Sequence, residues 1–191
     1  MFKDLLTKTR SYRNFDSTVA YTKEDMEYLI SLTRLTPSAA NNQPLKYAYA
    51  YKKEDCDKIF PLLSWAGYLE EKPPYDNNVP TAYILICFDT EISTTTCEMD
   101  AGICAQTIVL GAMEKGIGAC MLGSMKKDEI KKIFNLPEHI VPRLIIALGK
   151  PKETVEIVDA KDGDIKYYRD GKEKHFVPKR TLEEILLPEI K

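Results

Sequence analysis

The stretch TTCEMDAGICAQTIVLGAMEKG, residues 95–116, sets the strongest limit on how this chain can fold. It reads as one long helix closed by Gly116, since glycine most easily takes the left-handed conformation that ends a helix. Small and apolar residues run nearly all the way round it, with Asp100 and Gln106 as exceptions. A surface helix shows one apolar stripe, so a helix apolar on every face is either central or shared with a partner. Asp100 itself has two readings. Acids near a helix N-terminus are favoured by the macrodipole, whereas a buried carboxylate needs partners of its own and can belong to a site.

Shorter elements flank this helix. FKDLLTKT reads as a short helix and TKEDMEYLISLTRL as a better one, with Thr22 and Asp25 spaced as a capping box and Pro37 as the stop. KYAYAYKK alternates as a strand does. EDCDKIFPLLSWAGYLEE is predicted helical, broken at Pro61. TAYILICFD, IGACML and VPRLIIALG read as buried strands, and KKDEIKKIF as a helix. Beyond residue 150 only IKYYRD is predicted as a strand, before a DGKE turn and the tail HFVPKRTLEEILLPEI. That tail must bury Leu182, Ile185 and Leu186, on this domain or on a neighbour. Helices and strands mix without strict alternation, which points to an α+β fold and not a doubly wound sheet. With no repeat or linker, residues 1–191 are expected to form a single domain.

Composition excludes more than it selects. The net charge of −2 favours neither nucleic acid nor membrane as a partner. The longest apolar runs, ILICF and LIIAL, are far too short to span a bilayer, and MFKDLLTKTR lacks a signal-peptide core; a cytoplasmic location is expected. Five cysteines (Cys56, Cys87, Cys97, Cys104, Cys120) form no CxxC pair and read as reduced thiols. His139 and His175 stand apart, so no metal-ligand spacing appears and no metal is expected. Neither GxGxxG nor GxxxxGK[ST] is present.

Three polar clusters remain. RSYRNF places Arg10, Ser11 and Arg13 directly after a helix, and guanidinium forks match phosphate oxygens. TPSAANNQP is rich in amides and hydroxyls and is either an ordinary turn or the lining of a site. PKR carries Lys179 and Arg180 late in the chain. Each alone is equally well a solvated surface.

Taken in order, RSYRNF, PSAANNQP, DAGICAQTIVLGAMEKGIGACMLG, LIIALGKPKE and PKRTLEE resemble the nitroreductase-like family of FMN-dependent oxidoreductases over nearly the whole chain, and its short members in particular. The resemblance implies an α+β fold with a central mixed β-sheet flanked by helices. It implies a homodimer with FMN at the interface, the long helices packed together and the C-terminal tail extending onto the partner subunit. Arg10, Ser11 and Arg13 match positions that hold the FMN phosphate and ribityl end, and Lys179 or Arg180 the basic position that closes over it. Pro37 and Ser38 match contacts to the isoalloxazine ring from the neighbouring subunit, with Asn41 and Gln43 nearby. Leu122 and Gly123 match the stretch whose backbone meets the flavin near N5.

The implied activity passes hydride from NADH or NADPH through flavin N5 to a small oxidised acceptor, a nitroaromatic or quinone, by a ping-pong scheme. No side chain is required as a catalytic acid or base, because the cofactor carries the chemistry. The same fold also serves specialised reactions such as reductive dehalogenation, and a non-enzymatic alternative is a flavin-binding or sensor protein without turnover. Two positions depart from many relatives: Leu45 stands where an aromatic follows QP, and Met121 where a Trp precedes LG. Trp65 lies in a segment that often walls the substrate side, and equally suits a core anchor.

Overall fold

The computed structural model describes residues 1–95 and 98–189. Thr96 and Cys97 at the predicted start of the long helix, and residues 190–191 of the tail, lie outside them.

Local signals in the first third set its elements. Helix α1 spans Phe2–Lys8, and strand β1 is the short Phe15–Asp16. Helix α2 (Lys23–Ser31) opens with the predicted capping box. The Asp25 N–H donates to Thr22 Oγ1 at 3.2 Å, and the Thr22 N–H donates to the Asp25 carboxylate at 3.0 Å. Strand β2 covers Leu45–Ala50 and helix α3 Lys53–Ile59. A 3-10 turn at Phe60–Leu62 follows, and the helix predicted to resume after Pro61 does not form. The chain is tied sideways instead: Ser64 N–H donates to the Ser124 carbonyl and Lys126 N–H to that of Leu62, so these backbone groups are satisfied across the fold and not along a helix.

Five strands build the main sheet. Strands β3 (Ala82–Asp89), β4 (Gly118–Leu122) and β5 (Ile140–Pro151) join β1 and β2 in the order β1-β5-β3-β2, with β4 also on β5. The strand pairs are antiparallel, and a parallel bridge between Ser11 and Ala119 extends the β4 edge. Every residue of β3 is buried, so both faces of the sheet are covered. Tyr83, Leu85 and Cys87 point to one face with Ile59, Trp65 and Ile130, the side of α3 and helix α5 (Lys127–Ile133). Ala82, Ile84 and Ile86 point to the other with Met26, Leu29, Ala105 and Ile108, the side of α2 and helix α4 (Glu98–Glu114). The structure is therefore α+β with the sheet flanked by helices. Gly149 is required on β5, because a Cβ there would lie 2.6 Å from the Phe15 ring that crosses it.

Helix α4 buries Ala101, Cys104, Ala105, Ile108 and Ala112 yet leaves Met99 77% and Ile103 39% exposed. Gly116 at φ +72° ends the turn after it, as its position in the sequence predicts.

A second sheet follows the first. Strands β6 (Thr154–Asp159), β7 (Tyr168–Asp170) and β8 (Lys174–Lys179) pair in the order β6-β8-β7, with β6 and β8 parallel. Only β7 was predicted from IKYYRD, and it is shorter than expected. The last helix, α6 (Leu182–Ile185), leaves Leu182, Ile185, Leu186 and Leu187 60%, 63%, 61% and 89% exposed. Among the described residues, these four apolar side chains stay uncovered.

Candidate functional site

Cationic side chains converge where α1, α4, β4 and the second sheet meet. A cavity of about 330 Å³ is lined there by Arg10, Ser11, Arg13, Tyr167, His175 and Lys179, with Val109, Ala119 and Met121 as its apolar wall. Among the described residues no carboxylate lines it. Its three strands of chain arrive for different reasons. The 10–13 segment is held against β4 by the Ser11–Ala119 bridge and by the Tyr12 N–H on the Ala119 carbonyl at 2.9 Å. Residues His175, Val177 and Lys179 alternate along β8, and a strand turns every second side chain to one face. Helix α4 supplies Gln106 and Val109.

Beneath this cavity sits a buried ionic knot. Glu153, with its side chain fully buried, accepts the backbone N–H of Arg13 and that of Asn14, the latter at 3.0 Å. Its other carboxylate oxygen pairs with Arg169 of β7, whose guanidinium also donates to the Lys172 carbonyl at 2.6 Å and covers the Tyr75 ring. Burial lowers the Arg169 pKa from its ordinary value. Burial likewise lowers that of Arg10, with opposition from Tyr12. His175 is wholly buried and pushed down to about 4, by desolvation first and then by Arg13 and Arg169. It is therefore a neutral imidazole at physiological pH. Among the described residues, the buried Nε atoms of Arg10 and Arg13 and the Nδ1 of His175 have no hydrogen-bond partner. Donors without acceptors around a cationic cavity suit an anion.

The PSAANNQP loop forms a separate recess of about 170 Å³ with Pro37, Ser38, Gln43, Leu45, Tyr47 and Cys104. Ala40, Asn41 and Gln43 take φ values of +50°, +56° and +50°, which L-residues adopt only when held. Asp100 supplies the hold. Its carboxylate accepts Ser38 Oγ–H at 2.5 Å and the Ala39 N–H at 3.2 Å, while Ser38 Oγ accepts the Gln43 N–H at 2.9 Å. Asp100 lies in the first turn of α4 and is also buried among partners, so both readings of it apply. Replacing Asp100 by Ala is expected to loosen this loop by about 1.5–3 kcal/mol, the usual worth of hydrogen bonds to a charged group. Hydrogen exchange at residues 39–43 measures it, and unchanged protection there would contradict the role.

The predicted site residues thus divide. Arg10, Ser11, Arg13 and Lys179 come together in the cavity. Arg180, the alternative to Lys179, is exposed and does not line it. Pro37, Ser38 and Gln43 line the recess; Asn41 sits beside it, its side-chain oxygen accepting from Gln43 Nε2 at 3.1 Å. Leu122 is buried in the core below, Gly123 is exposed just after β4, and neither lines the cavity, whereas the neighbouring Met121 does. Trp65 is a core side chain against Phe60. Cys56, Cys87, Cys104 and Cys120 are free and buried. Burial pushes the Cys56 thiol up to about 11 and the Cys87 thiol up to about 12.

Sequence reasoning missed Tyr167, His175, Glu153 and Arg169, all contributed by the stretch after β5. It also missed the gathering of Asp89, Glu91 and His139, whose ligand atoms lie within 4.8 Å of one another. There Asp89 is already engaged, accepting the Glu91 N–H at 3.0 Å and facing Lys46.

The cavity and the recess lie on opposite sides of α4. Asp100 of the recess and Val109 of the cavity are separated by roughly 180° of helical rotation, at 3.6 residues per turn.

Comparison with known proteins bears on the family and the fold. The model of the nitroreductase family matches residues 6–150. A protein of Archaeoglobus fulgidus, named provisionally as an NADH dehydrogenase/NAD(P)H nitroreductase, is 27% identical over 146 residues, covering 73% of this chain and 79% of its own. The crystal structure of a nitroreductase family protein from Streptococcus pneumoniae superposes with a TM-score of 0.71 at 16% identity, covering 99% of this chain and 100% of that one. A nitroreductase with bound FMN from Desulfitobacterium hafniense gives 0.64 at 19% identity, over 87% of this chain and 97% of that one. Among the described residues no helix is long and apolar enough to cross a membrane.

Proposed function

Because the chain belongs to the nitroreductase family, we propose that it is an FMN-dependent oxidoreductase taking electrons from NADH or NADPH. The observation that carries this reading is the cavity in which Arg10, Ser11, Arg13 and Lys179 converge without a carboxylate, beside an apolar wall. A phosphate dianion needs several charged donors to replace its lost water, and the unpartnered Arg10 and Arg13 Nε atoms are suited to it. Bound FMN would supply hydride acceptance from the nicotinamide and release to a small oxidised acceptor, a nitroaromatic or quinone.

The protein's part is to bind and orient. Arg10, Arg13 and Lys179 would hold the phosphate, Ser11 would add a hydroxyl donor, and Met121 would border the ring, with Leu122 and Gly123 directly after it in the chain. Pro37, Ser38, Asn41 and Gln43 complete the pocket from a second copy, which is the arrangement that the opposed faces of α4 favour. Exposed Met99, Ile103 and Leu35 supply an apolar surface for that copy, and the tail from Leu182 onward reaches onto it. Residues 1–191 act as one domain in this reading.

Deleting residues 181–191, beyond the cavity-lining Lys179, is expected to weaken the homodimer about tenfold or more, since full burial of each large apolar side chain contributes about 1.5–3 kcal/mol. Sedimentation at micromolar protein measures it, and an undiminished dimer would contradict the tail's role.

The activity itself is tested by the visible spectrum of the FMN-loaded protein before and after anaerobic NADH or NADPH. Bleaching of the flavin bands supports a reductase. A flavin that stays yellow with both nucleotides favours a binding or sensor role, and no uptake of FMN overturns the reading.

A further inference from the structure

The family match ends at residue 150, yet the stretch after it supplies Tyr167, His175, Val177 and Lys179 to the cationic cavity. His175 is the least expected of these. It is one of only two histidines, has no solvent exposure, and its Nε2 lies 3.2 Å from Nη1 of Arg13. A guanidinium is a donor only, so His175 Nε2 must be the bare acceptor and the ring proton must sit on Nδ1. Tyr167 completes the enclosure: the Arg13 guanidinium stands 4.9 Å over its ring, and its ring lies 5.3 Å from the imidazole. On the remaining sides stand Arg169 of β7, itself neutralised by Glu153, and the buried Cys120 thiol of β4 near Arg13.

We propose that His175 is a positioning residue for the cofactor phosphate: its neutral imidazole orients the Arg13 guanidinium by accepting from Nη1, so that the second sheet sets the grip of the phosphate site. The inference rests on the reading of the cavity as the FMN site. An arginine free to swing loses side-chain entropy each time it closes on an anion. One braced between an acceptor and a ring has lost that freedom beforehand. A proton on Nε2 would place a donor against a donor, and the two guanidinium groups flanking the ring oppose that protonation.

The test compares FMN with riboflavin, which lacks the phosphate, in fluorescence titrations of the full chain as wild type, His175→Leu and His175→Gln. Expected is a loss of about tenfold in FMN affinity for the leucine variant, the weight of one hydrogen bond to a charged group. Riboflavin affinity should be unchanged, and glutamine, whose carbonyl can accept, should restore most of the loss. Equal weakening of both flavins, or no weakening of FMN, overturns the proposal. Long-range ¹H–¹⁵N spectra of wild-type protein test it without any variant at position 175, with His139→Gln separating the two rings. Protonated Nδ1 with bare Nε2 at pH 7 is expected, and the opposite tautomer or an imidazolium overturns it. Wild type that binds neither flavin would overturn the cofactor reading and this inference together; FMN binding with an unchanged ratio in the leucine variant overturns the inference alone.

Discussion

Replacing Glu153 by alanine is expected to remove about 3–5 kcal/mol of folding stability, the usual effect of leaving one partner of a buried ion pair uncompensated. The size follows from what the carboxylate holds. Its removal strands the Arg169 guanidinium, 7% exposed at its side chain, and leaves the backbone N–H groups of Arg13 and Asn14 without their acceptor. Urea unfolding measures the loss. Because the damage is an unpaired charge and not a missing contact, a second substitution, Arg169→Met, should restore part of what the first removes. Simple additivity of the two losses would show that the pair is not coupled. The cationic cavity should suffer as well, since Glu153 anchors the backbone from which the Arg13 side chain projects.

Removing Arg10 and Arg13 together, as Ala, is expected to lower FMN affinity about 100-fold or more, from two charged hydrogen-bonding groups at about 1.5–3 kcal/mol each. Part of any change will be packing, because both stems are half-buried and Arg13 covers the Tyr167 ring. The phosphate share is isolated by its dependence on salt: added sodium chloride should weaken FMN binding to wild type and barely affect the double variant. Equal salt dependence in the two proteins would remove both arginines from the phosphate assignment.

Much of this was legible in the sequence where the signal is local. Thr22 and Asp25 announce their helix because a capping box closes within one turn. TAYILICFD announces a buried strand because both of its faces are apolar. The RSYRNF and PSAANNQP segments were recognisable as polar clusters, and family resemblance gave them roles. What escaped is what distance in sequence hides. Glu153 meets Arg13 and Asn14 from the far end of the chain, and nothing beside it announces the pairing. Strand β8 lay within the tail HFVPKRTLEEILLPEI, where Pro178 hides the strand signal, although Pro is tolerated near a strand end. Strand β6 has no fully buried residue, so its alternation was faint. The stretch after Pro61 had helical composition, but its backbone was claimed by Ser124 and Lys126, a tertiary override that composition cannot register.

The opposed faces of α4 carry a consequence for inheritance. If each flavin pocket draws its cationic half from one copy and its loop half from the other, a lesion in Arg13 and a lesion in Asp100 spoil different halves. Two such defective chains, mixed in equal amounts, would pair so that half of the dimers are hybrids, each with one doubly damaged pocket and one untouched. About a quarter of the wild-type sites would then be restored by proteins that each have none, as two-fold assembly of shared sites dictates. In such a molecule the unit on which mutation is judged is the pair of chains, and two broken alleles can mend each other.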